Sequence, residues 1–169
     1  MITLLLGGAR SGKSRRAVAL AGTRRGVIFI ATAQRSDAEL RARITAHRRE
    51  RPAGWRTIEE PRRVPDRLAG IPRGSTVILD CVTLWIARLV TDRAPEAAIL
   101  AAVDRLIATV RTRSLRMVAV SNEVGSGVVP PTRLGRRFQD LLGAVNTRIA
   151  GASGRVELLV AGIPVRVKG

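Results

Sequence analysis

The stretch Gly7-Gly-Ala-Arg-Ser-Gly-Lys-Ser14 constrains this chain most, because it joins two segments of different periodicity. Ahead of it, Ile2-Thr-Leu-Leu-Leu6 is a short apolar run that reads as a buried strand ended by the glycine pair. Behind it, Ser14 to about Arg24 reads as a helix with alanines and Leu20 on one side. A strand, a turn of pattern G-x-x-x-x-G-K-[S/T] and a helix make a phosphate cradle. The glycines let backbone N–H groups turn inward onto phosphate oxygens, and the helix points its positive end at them. Lys13 can reach the β- and γ-phosphates of a nucleotide, and the Ser14 hydroxyl can ligate Mg²⁺. Gly7, Gly8, Ala9, Arg10, Ser11, Gly12, Lys13 and Ser14 are thus the first candidate nucleotide-binding residues.

The rest of the chain alternates strands with helices. Val27–Ala31, Thr76–Asp80 and Met117–Ser121 read as core strands, and Arg56–Glu59 as a short extended piece. Val156–Val160 and Val165–Lys168 read as two last strands around Gly162-Ile-Pro164. Helices are expected from Ser36, where Ser36-Asp-Ala-Glu39 is a capping box, to about Arg51. Others are expected over Val82–Val90, Pro95 to about Arg113 and Arg133 to about Ala150, with Asn122–Thr132 a loop. The alternation predicts an α/β fold with a mainly parallel sheet covered by helices on both faces. At 169 residues, without a repeat or low-complexity linker, residues 1–169 are expected to form one nucleotide-binding catalytic domain.

Composition excludes several classes. An apolar content of 46% is too high for a disordered chain, and no apolar run approaches the ~20 residues of a membrane span. One cysteine, Cys81, leaves no internal disulfide framework, and the opening residues lack a signal-peptide pattern; both fit a cytoplasmic protein. The net charge of +17 suggests a nucleic-acid partner, but the arginines are spread along the chain and only Phe29, Phe138, Trp55 and Trp85 are available for base stacking. An arginine bias with a site for anionic substrates is the preferred reading, with no nucleic-acid partner. That bias singles out Lys13, one of only two lysines, and His47, the sole histidine.

Asp80 ends an apolar strand, where a carboxylate would hold Mg²⁺ opposite Ser14; the competing reading is a cap for the next helix. Cys81 beside it reads as a buried, inert thiol. Leu40, Ile44 and His47 share one helix face, so His47 is either a half-buried structural residue or a reactive one. Arg48, Arg49 and Arg51 would disfavour an imidazolium and keep the ring neutral and nucleophilic near pH 7; alternatively they form a solvated helix face.

Together these residues resemble the bifunctional adenosylcobinamide kinase/adenosylcobinamide-phosphate guanylyltransferase family of cobalamin synthesis. The resemblance rests on Gly7–Ser14, Ile30-Ala-Thr-Ala-Gln34, Arg43-Ile44, His47, Arg51-Pro52 and Trp55-Arg-Thr-x-Glu59. It continues through Asp80-Cys-Val-Thr-x-Trp85, Ser121–Pro130, Arg133-Leu, Phe138-x-Asp140, Val145-Asn146 and Ala161-Gly-Ile-Pro164. It implies a RecA-like P-loop domain, typically a homotrimer. The implied activity is phosphorylation of the corrinoid adenosylcobinamide by ATP or GTP, with Mg²⁺. GMP transfer from GTP to the resulting phosphate then gives adenosylcobinamide-GDP and pyrophosphate. The resemblance makes His47 the GMP carrier. It puts nucleotide contacts on the P-loop, Thr32, Ala33, Gln34, Arg48, Arg49, Glu50, Arg51, Glu59 and Cys81, with Ser14 and Asp80 at the metal. Many family members carry glutamate where this chain has Asp80, and further histidines near His47. Two rival readings are a kinase-only relative with a structural His47 and a RecA-like nucleic-acid binder.

Overall fold

The computed structural model describes residues 1–22, 26–33, 52 and 54–169. Among the described residues seven strands form one sheet: β1 (Ile2–Gly7), β2 (Ile28–Ala31), β3 (Arg56–Glu59), β4 (Thr76–Asp80), β5 (Arg116–Val120), β6 (Arg155–Val160) and β7 (Ile163–Lys168). Their order is β3-β2-β4-β5-β1-β6-β7. All pairings are parallel except β6 with β7, which is antiparallel. The described helices are α1 (Lys13–Ala21), α2 (Val64–Ala69), α3 (Val82–Thr91), α4 (Glu96–Thr112) and α5 (Arg133–Ala152).

Period-two alternation divides the strand side chains between two cores. Ile2, Leu4, Ile28, Ile30, Val77, Leu79, Met117, Ala119 and Val156 face one way and pack with residues of α2, α3, α4 and α5. Leu5, Phe29, Ile78, Val118, Val120 and Leu159 face the other way, against Ala17 and Ala21 of α1. The central strands are buried on both sides, which is why they read as nearly continuous apolar runs.

The expected elements that fall on the described residues are present, with ends displaced by a few residues. Arg56–Glu59 is a full parallel neighbour of β2. Two features depart from the sequence reading. Helix α2 was not expected; Val64, Leu68 and Ile71 recur at helical spacing over too few residues to register, and all three are buried. The final strand begins at Ile163, and a two-residue turn returns it antiparallel along the sheet edge. The expected helix from Ser36 to Arg51 lies outside the described residues, as does the end of the first helix beyond Gly22. Among the described residues no helix is long and apolar enough to cross a membrane.

Candidate active site

Residues that are far apart in sequence meet at the carboxyl ends of β1, β2 and β4, the edge at which ligands bind open parallel sheets. Gly7 leaves β1 with φ 147°, and a Cβ there would lie 2.6 Å from the Leu159 carbonyl oxygen and 2.7 Å from Ser11 Oγ. Gly12 caps α1 at φ 91°, and its position faces Gly162, where a Cβ would come within 3.3 Å of Cα. Glycine is thus required twice in the loop, once by the β6 backbone and once by the β6–β7 turn. The Gly162 N–H also donates to the Ser11 carbonyl at 3.1 Å. Gly8, Ala9 and Arg10 are exposed between these points, and Ser11 and Lys13 are buried.

Lys13 Nζ donates to the Gly7 carbonyl at 2.9 Å, to the Gly8 carbonyl and to Ser11 Oγ at 3.4 Å. Its ammonium therefore sits inside the curve of the loop. Burial lowers the Lys13 pKa, against the pull of neighbouring Cys81 and Asp80. Next to it, Ser14 Oγ donates to Asp80 Oδ2 at 3.2 Å, across sixty-six positions of sequence. Ser14 and Asp80 offer hard oxygens beside the phosphate cradle, a donor set that suits Mg²⁺. Among the described residues no group of three or more acidic, histidine or cysteine side chains converges. A magnesium ion held by Ser14 and Asp80 would complete its shell with water and phosphate, as this ion commonly does.

The helix-cap reading of Asp80 does not hold. Asp80 is the last residue of β4, and the N-cap of α3 is Cys81, whose Sγ accepts from Leu84 N–H at 3.5 Å. Burial, with the Asp80 carboxylate adjacent, pushes the Cys81 thiol up to about 12. With its proton retained, the half-buried thiol is a weak nucleophile at pH 7. Thr32 is buried, and its hydroxyl clasps the Cys81 backbone: it donates to the carbonyl at 2.7 Å and accepts from the N–H at 2.9 Å. Thr32 N–H also donates to the Asp80 carbonyl at 3.1 Å. Ala33 follows it, half-buried, and Glu59 ends β3, exposed, paired in register with Ala31. The structure thus gathers Gly7–Ser14, Thr32, Asp80 and Cys81 into one place. Gln34, His47, Arg48, Arg49, Glu50 and Arg51 lie outside the described residues.

Two groups of residues bear on the site without having been given a role from sequence. Glu157 on β6 is 1% exposed. It accepts from Arg16 Nε at 2.8 Å and from a second Arg16 nitrogen at 2.9 Å, and it pairs with Arg155. The fork anchors α1 three residues past Lys13. The second group holds the loop after β5. Ser121 Oγ donates to Asn146 Oδ1 at 2.7 Å, Asn146 Nδ2 to the Asn122 carbonyl at 3.1 Å, and Asn122 N–H to Thr83 Oγ1 at 2.7 Å. Glu123 N–H then donates to the Gly7 carbonyl at 3.2 Å, which brings this loop against the start of the phosphate cradle. Three of the resemblance's separate motifs, around Thr83, Ser121 and Asn146, are therefore parts of one buried polar network.

A strand–glycine-rich loop–helix unit in a parallel sheet, with an acidic residue at a nearby strand end, defines a P-loop nucleotide-binding protein. The model of the cobinamide kinase / cobinamide phosphate guanyltransferase family, CobU, matches residues 3–167, and the chain belongs to that family. The bifunctional adenosylcobalamin biosynthesis protein CobU of Escherichia coli K12 is 42% identical to it, the match covering 99% of this chain and 100% of the relative. CobU of Salmonella typhimurium LT2 is 41% identical with the same coverage. The bifunctional protein CobP of Pseudomonas aeruginosa PAO1 is 42% identical over 100% of this chain and 98% of its own length.

Proposed function

We propose that this chain is a bifunctional enzyme of cobalamin synthesis that phosphorylates adenosylcobinamide and then guanylylates the product. The observation that carries the reading is the convergence of Lys13, Ser14 and Asp80 on one phosphate cradle, in a chain matched to its family over residues 3–167. In the kinase step the aminopropanol hydroxyl of the corrinoid attacks the γ-phosphorus of ATP or GTP, and the nucleoside diphosphate leaves. Lys13 and the loop N–H groups hold the phosphate chain in line and offset its growing charge. Ser14 and Asp80 would hold Mg²⁺, which would supply further charge neutralisation.

In the guanylyl step a neutral His47 nitrogen attacks the α-phosphorus of GTP, a P–N bond forms and pyrophosphate leaves. The cobinamide phosphate oxygen then attacks the same phosphorus, and the P–N bond breaks to free His47. Covalent catalysis splits one displacement between two bulky anions into two steps. Gln34, Arg48, Arg49, Glu50, Arg51 and Glu59 contribute the remaining nucleotide contacts in this reading, and the whole chain acts as one catalytic domain. The functional unit is a homotrimer, for which the row Ile163, Val165 and Val167, exposed on edge strand β7, is suitable apolar surface. A sedimentation mass other than three times 18.2 kDa overturns that part.

Labelling with α-labelled GTP and Mg²⁺ tests the covalent step. Wild type should acquire acid-labile label that added pyrophosphate removes. His47→Ala should acquire none, lose guanylyl transfer and retain kinase activity. Equal labelling of the two proteins returns His47 to a structural role and leaves the kinase-only reading.

A further inference from the structure

At the edge opposite the phosphate loop, where the parallel strands begin, Leu20 of α1 lines an open area on the face that carries this helix. In register, Thr3 stands beside Val118 and Arg155, Thr76 beside Arg116, and Arg166 beside Glu157. Paired residues of neighbouring strands share a face, so all of these lie on the side that carries α1. Thr3, Thr76, Arg116, Val118, Arg155 and Arg166 line a cavity of about 450 Å³ there, together with Met1 and Gly169. That volume is in the range of small-molecule sites. The six residues of β1 span roughly 20 Å at ~3.3 Å per residue, which separates this cavity from the phosphate loop.

Its lining is rich in positive charge: guanidinium groups come from β5, β6 and β7, and among the described residues no aspartate or glutamate side chain lines the cavity. The adjacent carboxylate, Glu157, is already bound by Arg16 and Arg155. Arg155 Nε is buried without a hydrogen-bond partner, and neither Arg116 nor Arg166 has an ion pair among the described residues. Thr3 and Thr76 can add hydroxyl donors. Arginine forks match phosphate oxygens in geometry as well as in charge. Strands β5 and β7 lie three spacings apart, roughly 14 Å at ~4.8 Å each. Arginine side chains rooted that far apart can converge on one anion, and three guanidinium groups spread along that span match the several negative charges of a phosphate chain.

We propose that this cavity is a second anion site, separate from the phosphate loop, that takes a di- or triphosphate group. The group is either free pyrophosphate or the phosphate chain of a nucleotide. The site does not depend on the reaction assigned above, because none of its residues belongs to the P-loop centre.

Calorimetric titration of the full chain carrying Lys13→Ala tests it, with inorganic pyrophosphate and GTP as separate probes. The substitution cripples the P-loop site, so about one equivalent of saturable binding should remain. Adding Arg116→Ala and Arg166→Ala should weaken that binding by about tenfold or more, the scale expected when charge-assisted contacts are lost. Adding Arg105→Ala and Arg111→Ala instead, which removes equal charge from α4, should leave it intact. Tighter pyrophosphate binding identifies free polyphosphate as the ligand, and tighter GTP binding identifies the nucleotide. No saturable binding in Lys13→Ala overturns the proposal. Equal loss in the two charge-matched variants also overturns it, because that is attraction to net charge alone. If the double substitution unfolds the chain, Arg166→Ala alone, on the exposed edge strand, gives the same reading.

Discussion

Asp80 stands where a strand ends and a helix begins, and its neighbours separate its two conceivable roles. The cap of α3 is supplied by Cys81, and the junction is held by Thr32 through the backbone of Cys81 and the carbonyl of Asp80. The Asp80 side chain is left to face Ser14. Asp80→Asn keeps the shape and a carbonyl acceptor but removes the charge. Its expected effect is a rise of about 10–100-fold in the Mg²⁺ concentration needed for half-maximal turnover, the scale of weakened metal sites. The melting temperature should stay within about 2 °C of wild type, since exchange at a site outside the core costs little. Mg²⁺ titrations of the kinase reaction, run beside a thermal melt, read both quantities. Lost stability with unchanged metal dependence would show that the carboxylate is structural after all.

Among the elements, the loop between β5 and α5 depends most on contacts made elsewhere. It contains Gly125 and Gly127 and exposes Val128 and Val129, so it has no core of its own. Its entry is fixed by Ser121, Thr83 and Asn146, which lie on three different segments, and by the bond from Glu123 to Gly7. Asn146→Ala leaves the buried Ser121 hydroxyl and the Asn122 carbonyl without these partners. A buried polar group left unpaired costs about 1–3 kcal/mol. For a chain of this length each kcal/mol lowers Tm by about 2–4 °C. The amides of Asn122–Val129 should exchange hydrogen faster than in wild type while those of β5 remain protected. Unchanged protection of the loop would mean that Glu123 and the loop's own turns hold it without the network. Of these residues, only their membership in motifs was legible from sequence. Their mutual bonds span 24 to 39 positions and follow no periodicity.

For the molecule as a whole, Glu157 joins the phosphate-binding helix to the far half of the sheet. Arg16 and Arg155 hold the Glu157 carboxyl below its ordinary range, with the Arg16 bonds the largest cause and burial opposing them. Glu60 is lowered too: burial pushes it up, but the Arg63 and Arg62 backbone N–H groups and the Arg67 side chain outweigh that. A carboxyl depressed in the folded state stabilises the protein above its unfolded pKa, ordinarily about 4.5, and that contribution is lost as pH falls through the folded value. Stability carried by Glu157 is therefore complete at neutral pH and declines only below about pH 4.5. Glu157→Gln should lower stability at pH 7 by about 1.5–3 kcal/mol, the worth of hydrogen bonds to a charged group. The difference between variant and wild type should shrink as the melts are carried from pH 7 to pH 3. A constant difference across that range would assign the loss to packing instead of charge.

By itself the sequence determined the features that are local. Eight consecutive residues between an apolar run and a helix specify the phosphate loop, since its geometry is set by glycine backbones and the adjacent helix end. Strands β1, β2, β4 and β5 were legible because burial on both faces leaves each an apolar run. Tertiary structure alone decided what depends on partners far along the chain. Asp80 faces the phosphate loop and does not cap α3 because Thr32 and Ser14 come to it from two other segments. Glu157 looks like a solvent-facing position in Val156–Val160, yet it is buried because Arg16 crosses from α1 to meet it. The edge strand β7 runs antiparallel because a turn at Ala161-Gly162 leaves no length for a crossover, and that turn packs against the phosphate loop. Such contacts join residues up to 141 positions apart, and no spacing rule along the chain encodes them.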